Sequence, residues 1–298
     1  MVAGSPAPTL DADMIADSLR QHLRTCQNIV AFTGAGISAE SGIPTFRDRF
    51  AGLWAKYDPQ EVATPQAFRA NPQLVWDWHV HLPDTVRRAA PNAGHAAVAR
   101  LADLVPRLTV ITQNIDNLHQ AAGSRNVLEL HGNLFRMKAF VDADEIFAGD
   151  RSPIICPVCD GYALDEECDP YAGREDLVAI ELRPGPVPRC PGCRALLRPD
   201  MVWFGEPLAA DVIEAAWAAT DACDLLICIG SSLEVQPAAS LPWRAKWRGA
   251  RVIEVNPAPT ELSDSVDLSL RGSAATLLPE LVDRVWENIW NNAADDAI

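Results

Sequence analysis

The 298-residue sequence predicts an α/β fold, a parallel sheet with helices on both faces, plus a second and smaller domain. Three observations carry this. Apolar runs of strand length alternate with segments of helical spacing near both ends of the chain, the pattern of βαβ units. That alternation is interrupted twice, over 50–90 and 136–202, by stretches rich in tryptophan, proline and cysteine that hold no convincing strand. And the first apolar run, Ile29-Val30-Ala31-Phe32, breaks directly into Gly34-Ala35-Gly36-Ile37-Ser38-Ala39. Its G-x-G-x-x-A spacing suits backbone N–H groups approaching a dinucleotide pyrophosphate, with a helix end supplying positive dipole.

The elements follow in order. Residues 14–26 have the spacing of an amphipathic helix and feed a strand at 29–33. After the glycine loop, Gly42 and Pro44 stop the helix almost at once. An ordinary dehydrogenase would instead continue into a second strand carrying an acidic residue about 20 positions on. Asp58 lies near that distance, but Asp58-Pro59 reads as a turn after no strand. The loop therefore binds a nucleotide in some other way, and a glycine turn of any α/β protein would share its spacing. Helical spacing recurs at 72–81, and Asn92 caps a helix running to Leu104. Strands follow at 108–112 and 127–130. Beyond the second interruption come a helix at 211–219, a strand at 224–229, a helix at 237–246, a strand at 251–255 and a helix at 275–288. The expected division is a discontinuous Rossmann-like domain over 10–47, 91–136 and 207–290. A helical module at 48–90 and a zinc-binding module at 137–206 form the small domain, and 1–9 and 291–298 are frayed tails. The cleft between the domains is the default place for a site.

Composition narrows the function. A net charge of −15 opposes binding to a phosphate backbone, so nucleic acid is excluded and a basic protein segment is the easier partner. No apolar run approaches the ~20 residues a bilayer needs, and the first residues lack a signal peptide's basic and apolar regions. A cytoplasmic location is expected, with no membrane partner; a monomer is compatible with the sequence. Of eight cysteines, four form two C-x-x-C pairs, Cys156/Cys159 and Cys190/Cys193, in proline-bearing knuckles that aim two thiolates each at one tetrahedral metal. Four sulfur ligands leave no open position, so a zinc ion there is structural; a redox dithiol is the alternative. Cys26, Cys223 and Cys228 read as core residues and Cys168 as an idle thiol.

Chemistry gathers at the strand ends, where open α/β sheets bind ligands. Gln113-Asn114-Ile115-Asp116 follows the strand at 108–112, His131-Gly132 the strand at 127–130, Gly230-Ser231-Ser232 the strand at 224–229, and Asn256 the strand at 251–255. An imidazole at His131 could act as a general base near neutral pH. Taken singly, each group has a structural explanation in turn bonds or packing. Together they describe one nucleotide site.

These motifs, with Ser41-Gly42-Ile43-Pro44-Thr45-Phe46-Arg47 and Val202-Trp203-Phe204-Gly205-Glu206, occur in the order found in sirtuins, and the chain resembles that family of NAD-dependent protein lysine deacylases in its bacterial and mitochondrial-type branch. The resemblance spans 29–274 and implies a Rossmann-like domain with a small domain of helical and zinc modules. It also implies roles. The acyl-lysine oxygen attacks C1′ of the nicotinamide ribose and nicotinamide leaves. The histidine matching His131 then deprotonates a ribose hydroxyl so that the 2′-oxygen attacks the acyl carbon, giving free lysine and O-acyl-ADP-ribose. By the same resemblance Asn114 and Asp116 join His131 in catalysis, Asp116 receiving the nicotinamide carboxamide. NAD, consumed as co-substrate, is held by Gly34, Ala35, Gly36, Ser38, Thr45, Phe46, Arg47, Gln113, Asn114, Ile115, Asp116, Gly230, Ser231, Ser232, Asn256, Ser273 and Ala274. Val202, Trp203, Phe204, Gly205 and Glu206 form a strand to which the substrate peptide adds. The five tryptophans Trp54, Trp76, Trp78, Trp203 and Trp243 are otherwise read as core or domain-interface residues.

Two departures limit the match. Branch members that remove succinyl or malonyl groups read the carboxylate with Tyr-x-x-Arg; here His79 and Leu82 take those places, and the bidentate cation is missing. Removal of acetyl or another uncharged acyl group is therefore expected, with His79 packing at the surface or, when protonated, drawing an anionic group. Asp200 replaces a basic or amide residue and has no functional reading. Competing classes are an NAD-consuming hydrolase or ADP-ribosyltransferase, which some sirtuin relatives are, and a zinc-ribbon binding module, which the acidity and polar strand ends oppose.

Overall fold

The computed structural model describes residues 15–45, 62–140, 184–190 and 194–287. Among these the strands are β1 (Asn28–Thr33), β2 (Arg107–Thr112), β3 (Val127–Glu129), β4 (Gly132–Ala139), β5 (Leu197–Met201), β6 (Leu225–Ile229), β7 (Arg251–Val255) and β8 (Leu268–Leu270). The α-helices are α1 (Asp17–Thr25), α2 (Pro65–Ala70), α3 (Pro72–Arg88), α4 (Ala93–Leu104), α5 (Leu118–Ala121), α6 (Ala210–Ala222), α7 (Leu241–Arg248) and α8 (Ala274–Val282).

Six strands form one sheet in the order β3-β2-β1-β6-β7-β8, every neighbouring pair parallel. The uninterrupted apolar runs follow from that arrangement, since a parallel sheet is covered on both faces. Alternate residues of β1 serve opposite cores. Ile29 and Ala31 pack with Leu23, Leu101 and Leu281 of α1, α4 and α8. Val30 and Phe32 pack with Ile213 of α6 and Leu241 of α7. Cys26, Cys223 and Cys228 are buried free thiols, as expected of core residues.

The chain leaves β1 toward β2 and β3 on one side, whereas β6 leads to β7 and β8 on the other. Strand order thus reverses between β1 and β6, which opens a crevice at their carboxyl ends. Thr33 is level with Thr112 and with Ile229, so the residues that follow these strands meet at one edge.

The second unit pairs β4 with β5 in an antiparallel ribbon, irregular between Asn133 and Met137. Against it lie α2 and α3, each opened by proline and capped by Thr64 or Asn71, an arrangement suited to the orphan N–H groups of a helix start. Phe68, Val75 and Trp203 share one apolar cluster, and Trp76, Val80 and Leu134 another.

Several expectations change. The loop after β1 forms two 3-10 turns, Ala35–Ile37 and Ala39–Ser41, closed by Gly42 at φ 83°. Among the described residues up to Thr45 no α-helix follows, so 3-10 turns stand where a helix start was expected. The helix expected at 72–81 continues to Arg88, and the last helix ends at Val282 and gives way to a π turn, Asp283–Glu287. Strand β4 crosses the domain boundary expected at 136. Trp76, Trp78 and Trp203 are buried, but Trp243 is exposed; Trp54 lies outside the described residues. Among the described residues no helix is long and apolar enough to cross a membrane.

Candidate active site

Main chain meets main chain at the crevice. Gly34 N–H donates to Ile229 O at 2.9 Å and Gly36 N–H to Gly230 O at 2.8 Å. A Cβ on Gly36 would lie 2.6 Å from Gly230 Cα, closer than such atoms approach. Both glycines thus let the β1 and β6 loops touch, and their N–H groups serve that contact instead of facing a pyrophosphate.

Around this contact the polar strand ends interlock. Asp116 is buried; its Oδ2 accepts from Ser38 Oγ at 2.6 Å and its Oδ1 from Leu118 N at 3.0 Å. Asn114 donates through Nδ2 to Gly34 O and to Ser38 Oγ, each at 3.2 Å. Gln113 donates to Ser231 Oγ at 2.9 Å, and Asn256 donates to Ser231 O at 3.2 Å. Gly230 sits at φ 59°, and Ser232 beside Ser231 is half-buried. Thr45 is half-buried at the edge of the described residues, beyond which Phe46 and Arg47 lie outside them.

Two histidines that the sequence reading left out underlie this layer. His95 Nδ1 accepts from Asn92 N at 3.4 Å, so its Nε2–H is directed at Ser38 Oγ, 3.4 Å away, and Ser38 in turn donates to Asp116. His119 Nε2 bonds Thr33 Oγ1 at 2.9 Å while Thr33 donates to Thr112 Oγ1. Burial lowers both pKa values, that of His119 to about 3, so both rings are neutral at pH 7. The signal for His95 was present: three residues after the Asn92 cap, it completes a capping box.

His131 sits where β3 passes into β4, and its Nδ1 lies 2.9 Å from Gln113 O. A carbonyl only accepts, so the neutral ring carries its proton on Nδ1 and leaves Nε2 as a free base. Burial lowers its pKa below the usual value, a shift the Gln113 bond partly opposes. One carboxylate with each oxygen engaged once and one neutral imidazole with an open nitrogen therefore share the crevice edge.

Other expected residues lie elsewhere or serve differently. Ile115 packs beside Trp76 and Leu134 in the small unit. Ser273 caps α8 through Thr276 N, and the Ala274 main chain lies 3.1 Å from where a Cβ on Gly94 would stand. The run from Val202 to Glu206 follows β5 as a turn and is not a strand. Val202 N donates to His131 O, Phe204 N to Ala63 O and Glu206 N to Trp203 O, each at 3.0 Å, so these three N–H groups are already used. Trp203 is 2 % exposed and cannot line a substrate surface, whereas Phe204 and Gly205 are exposed. His79, expected at the surface, is 0 % exposed: Nδ1 bonds Val75 O at 2.7 Å, and Nε2 accepts from Trp203 Nε1 at 3.2 Å. Burial drives its pKa to about 4, so it cannot supply a cation near neutrality; the side chain of Leu82 lies outside the described residues. Asp200, unexplained by sequence, is buried and pairs with Arg136 at 3.1 Å and Lys138 at 3.6 Å. Of the metal candidates, Cys190 is buried, with Arg194 N bonding its carbonyl at 2.9 Å and Arg194 at φ 67°. Cys156, Cys159 and Cys193, with Cys168, lie outside the described residues.

A model of the Sir2 family matches residues 34–237. An NAD-dependent protein deacylase of Pyrococcus abyssi is 41% identical over 265 residues, 88% of this chain and 95% of that one. A Sir2 homologue solved with NAD superposes with a TM-score of 0.73 at 39% identity, over 95% of this chain and 96% of that one. A Sir2 protein solved with a p53 peptide and NAD+ gives a TM-score of 0.69 at 30% identity, over 90% of this chain and 97% of the other.

Proposed function

The chain belongs to the Sir2 family, and on that premise we propose that it removes acyl groups from protein lysine side chains at the expense of NAD, with His131 as the general base. The observation that carries the assignment of the base is the His131–Gln113 bond, which fixes the tautomer with Nε2 open. NAD occupies the crevice where β1 and β6 diverge. The side chains that converge there, Gln113, Asn114, Asp116, Ser38, Ser231 and Asn256, supply the amides, hydroxyls and carboxylate that suit two riboses and a carboxamide. NAD brings the labile glycosidic bond; the chain orients it, excludes water and takes up one proton at His131 Nε2. The acyl-lysine protein enters as an extended segment past Phe204 and Gly205. With the N–H groups of Val202, Phe204 and Glu206 already engaged, that segment pairs with the turn's remaining main-chain groups.

Acyl preference follows from α3. With His79 neutral, buried and bonded at both nitrogens, nothing at that position pairs with a carboxylate. One peptide carrying acetyl, longer-chain or succinyl lysine, assayed with and without NAD, is expected to show kcat/KM for succinyl at least ~10-fold below acetyl, the effect of ~1.4 kcal/mol of lost pairing. Faster turnover of succinyl-lysine would refute the preference. Nicotinamide release with no acyl peptide present would favour the hydrolase or ADP-ribosyltransferase reading.

Two observations support a metal knuckle: Cys190 is buried, and Arg194, four residues on, lies in the left-handed region and donates its N–H to Cys190 O. Cys190, Cys193, Cys156 and Cys159 would together hold one structural zinc, which supplies folding energy and no chemistry. Chelation is expected to lower the unfolding temperature and release one zinc per chain. A chelated protein of unchanged stability would remove the structural role.

A further inference from the structure

A second cluster of buried charge lies on β5 and in the turn after it. Arg198 is 2 % exposed. Its fork grips both Glu206 oxygens, Nη1 to Oε1 at 2.5 Å and Nη2 to Oε2 at 2.9 Å, and Nη2 also donates to Met201 O at 2.6 Å. The guanidinium lies 3.2 Å from the centroid of the Trp203 ring. Glu206 Oε2 also accepts from Trp203 N at 2.8 Å, closing the turn on itself. The Trp203 indole then reaches His79 on α3. One end of the turn is fastened to the base as well, through Val202 N to His131 O at 3.0 Å.

We propose that Arg198 is a positioning residue for the acyl-lysine substrate: by clamping Glu206 and Met201 O it holds the 201–206 turn, presenting Phe204 and Gly205 to the peptide and bracing the His131 main chain. This deepens the deacylase reading and rests on it. An arginine serving the core alone would have no need of the turn's carbonyl and of the carboxylate five residues on. Every contact Arg198 makes in the turn instead brackets Phe204, which is 40% exposed, and Gly205, at φ 86°. Beneath these exposed groups lies a planar cation stacked on an indole, beside the main-chain bond from Phe204 N to Ala63 O. Lysine has the charge but neither the fork nor the plane.

Arg198→Lys and Glu206→Gln test this in the full-length protein with acetyl-lysine peptide and NAD. Arg198→Lys is expected to raise the peptide KM at least ~10-fold, equivalent to ~1.4 kcal/mol, with NAD KM within twofold of wild type. Glu206→Gln, which keeps one acceptor, is expected to raise it less. The double variant should be no worse than Arg198→Lys alone, because both changes open one clamp. An unchanged peptide KM in a folded Arg198→Lys protein overturns the proposal, and so does an equal rise in the KM for NAD. Should Arg198→Lys fail to fold, Glu206→Gln decides by the same split; should neither fold, Arg198 is a folding residue and the positioning role is overturned. A wild-type protein without NAD-dependent deacylation would overturn the functional reading and the clamp together, whereas active wild type with an indifferent variant removes only the clamp.

Discussion

Replacing His131 with alanine is expected to lower kcat/KM for NAD-dependent deacylation by ~10²–10⁴-fold, the usual contribution of a positioned acid-base group, while NAD affinity stays within a few-fold. The ring's one described bond is to Gln113 O, a backbone acceptor that the side-chain network holding the crevice together does not use. Gln113 still reaches Ser231, and Asn114 still reaches Ser38 and Gly34. Stability should therefore change little and chemistry greatly. Burial lowers the His131 pKa from the ordinary imidazole value of ~6.5, so the base is neutral at pH 7 and becomes protonated only as pH falls through that lowered value. The wild-type kcat/KM profile should have its acid limb below pH 6.5 and lose that limb in His131→Ala. Isothermal titration with NAD and a pH series of initial rates measure both. Undiminished deacylation in the variant would remove His131 as the base, and an acid limb above pH 7 would contradict its burial.

How much of this was legible beforehand depends on what each residue reports. The strands β1, β2, β6 and β7 were readable because burial on both faces forces continuous apolar runs, and their ends named Gln113, Asn114, Asp116, Ser231 and Asn256, with His131 after the short β3. Strands β4 and β5 were not. Gly132–Ala139 mixes arginine, lysine and asparagine with apolar residues, and Leu197–Met201 contains proline and two charges, because the ribbon buries its charges by pairing Arg136 and Lys138 with Asp200. Sequence spacing registers polarity and not partnership. The same blindness placed His79 at the surface, where a histidine ordinarily lies, although Trp203 is 124 residues away and satisfies it. Arg198, stacked and clamped across the turn, left no trace in the pattern for the same reason.

What the glycines of the β1 and β6 loops do is tested by a comparison among glycines. Gly230 carries two constraints: φ 59°, a region that costs a residue with a Cβ ~1–2 kcal/mol, and a Cβ position 2.5 Å from Ile37 N, main chain that cannot rotate away. Gly123 carries only the first, at φ 97° with nothing within 4 Å of its Cβ position. Gly36 carries only the second, facing Gly230 Cα at 2.6 Å. Alanine at Gly123 should therefore cost ~1–2 kcal/mol, and at Gly36 the ~1–3 kcal/mol of an overpacked contact. At Gly230 the two costs combine, to ~3 kcal/mol or more. Urea unfolding reads this order. NAD binding separates the sites further: parting the β1 and β6 loops displaces Gly34 O from Asn114 and Ser231 from Gln113, so Gly36→Ala and Gly230→Ala should weaken NAD at least ~10-fold, or ~1.4 kcal/mol. Gly123→Ala, remote from these bonds, should leave it unchanged. If Gly230→Ala were no less stable than Gly123→Ala and bound NAD equally well, the contact of the two loops would not be what shapes the crevice. Glycine here removes side chains so that two backbones can meet where the sheet divides, and in the proposed reading the amides and hydroxyls that this meeting aligns are what hold the nucleotide.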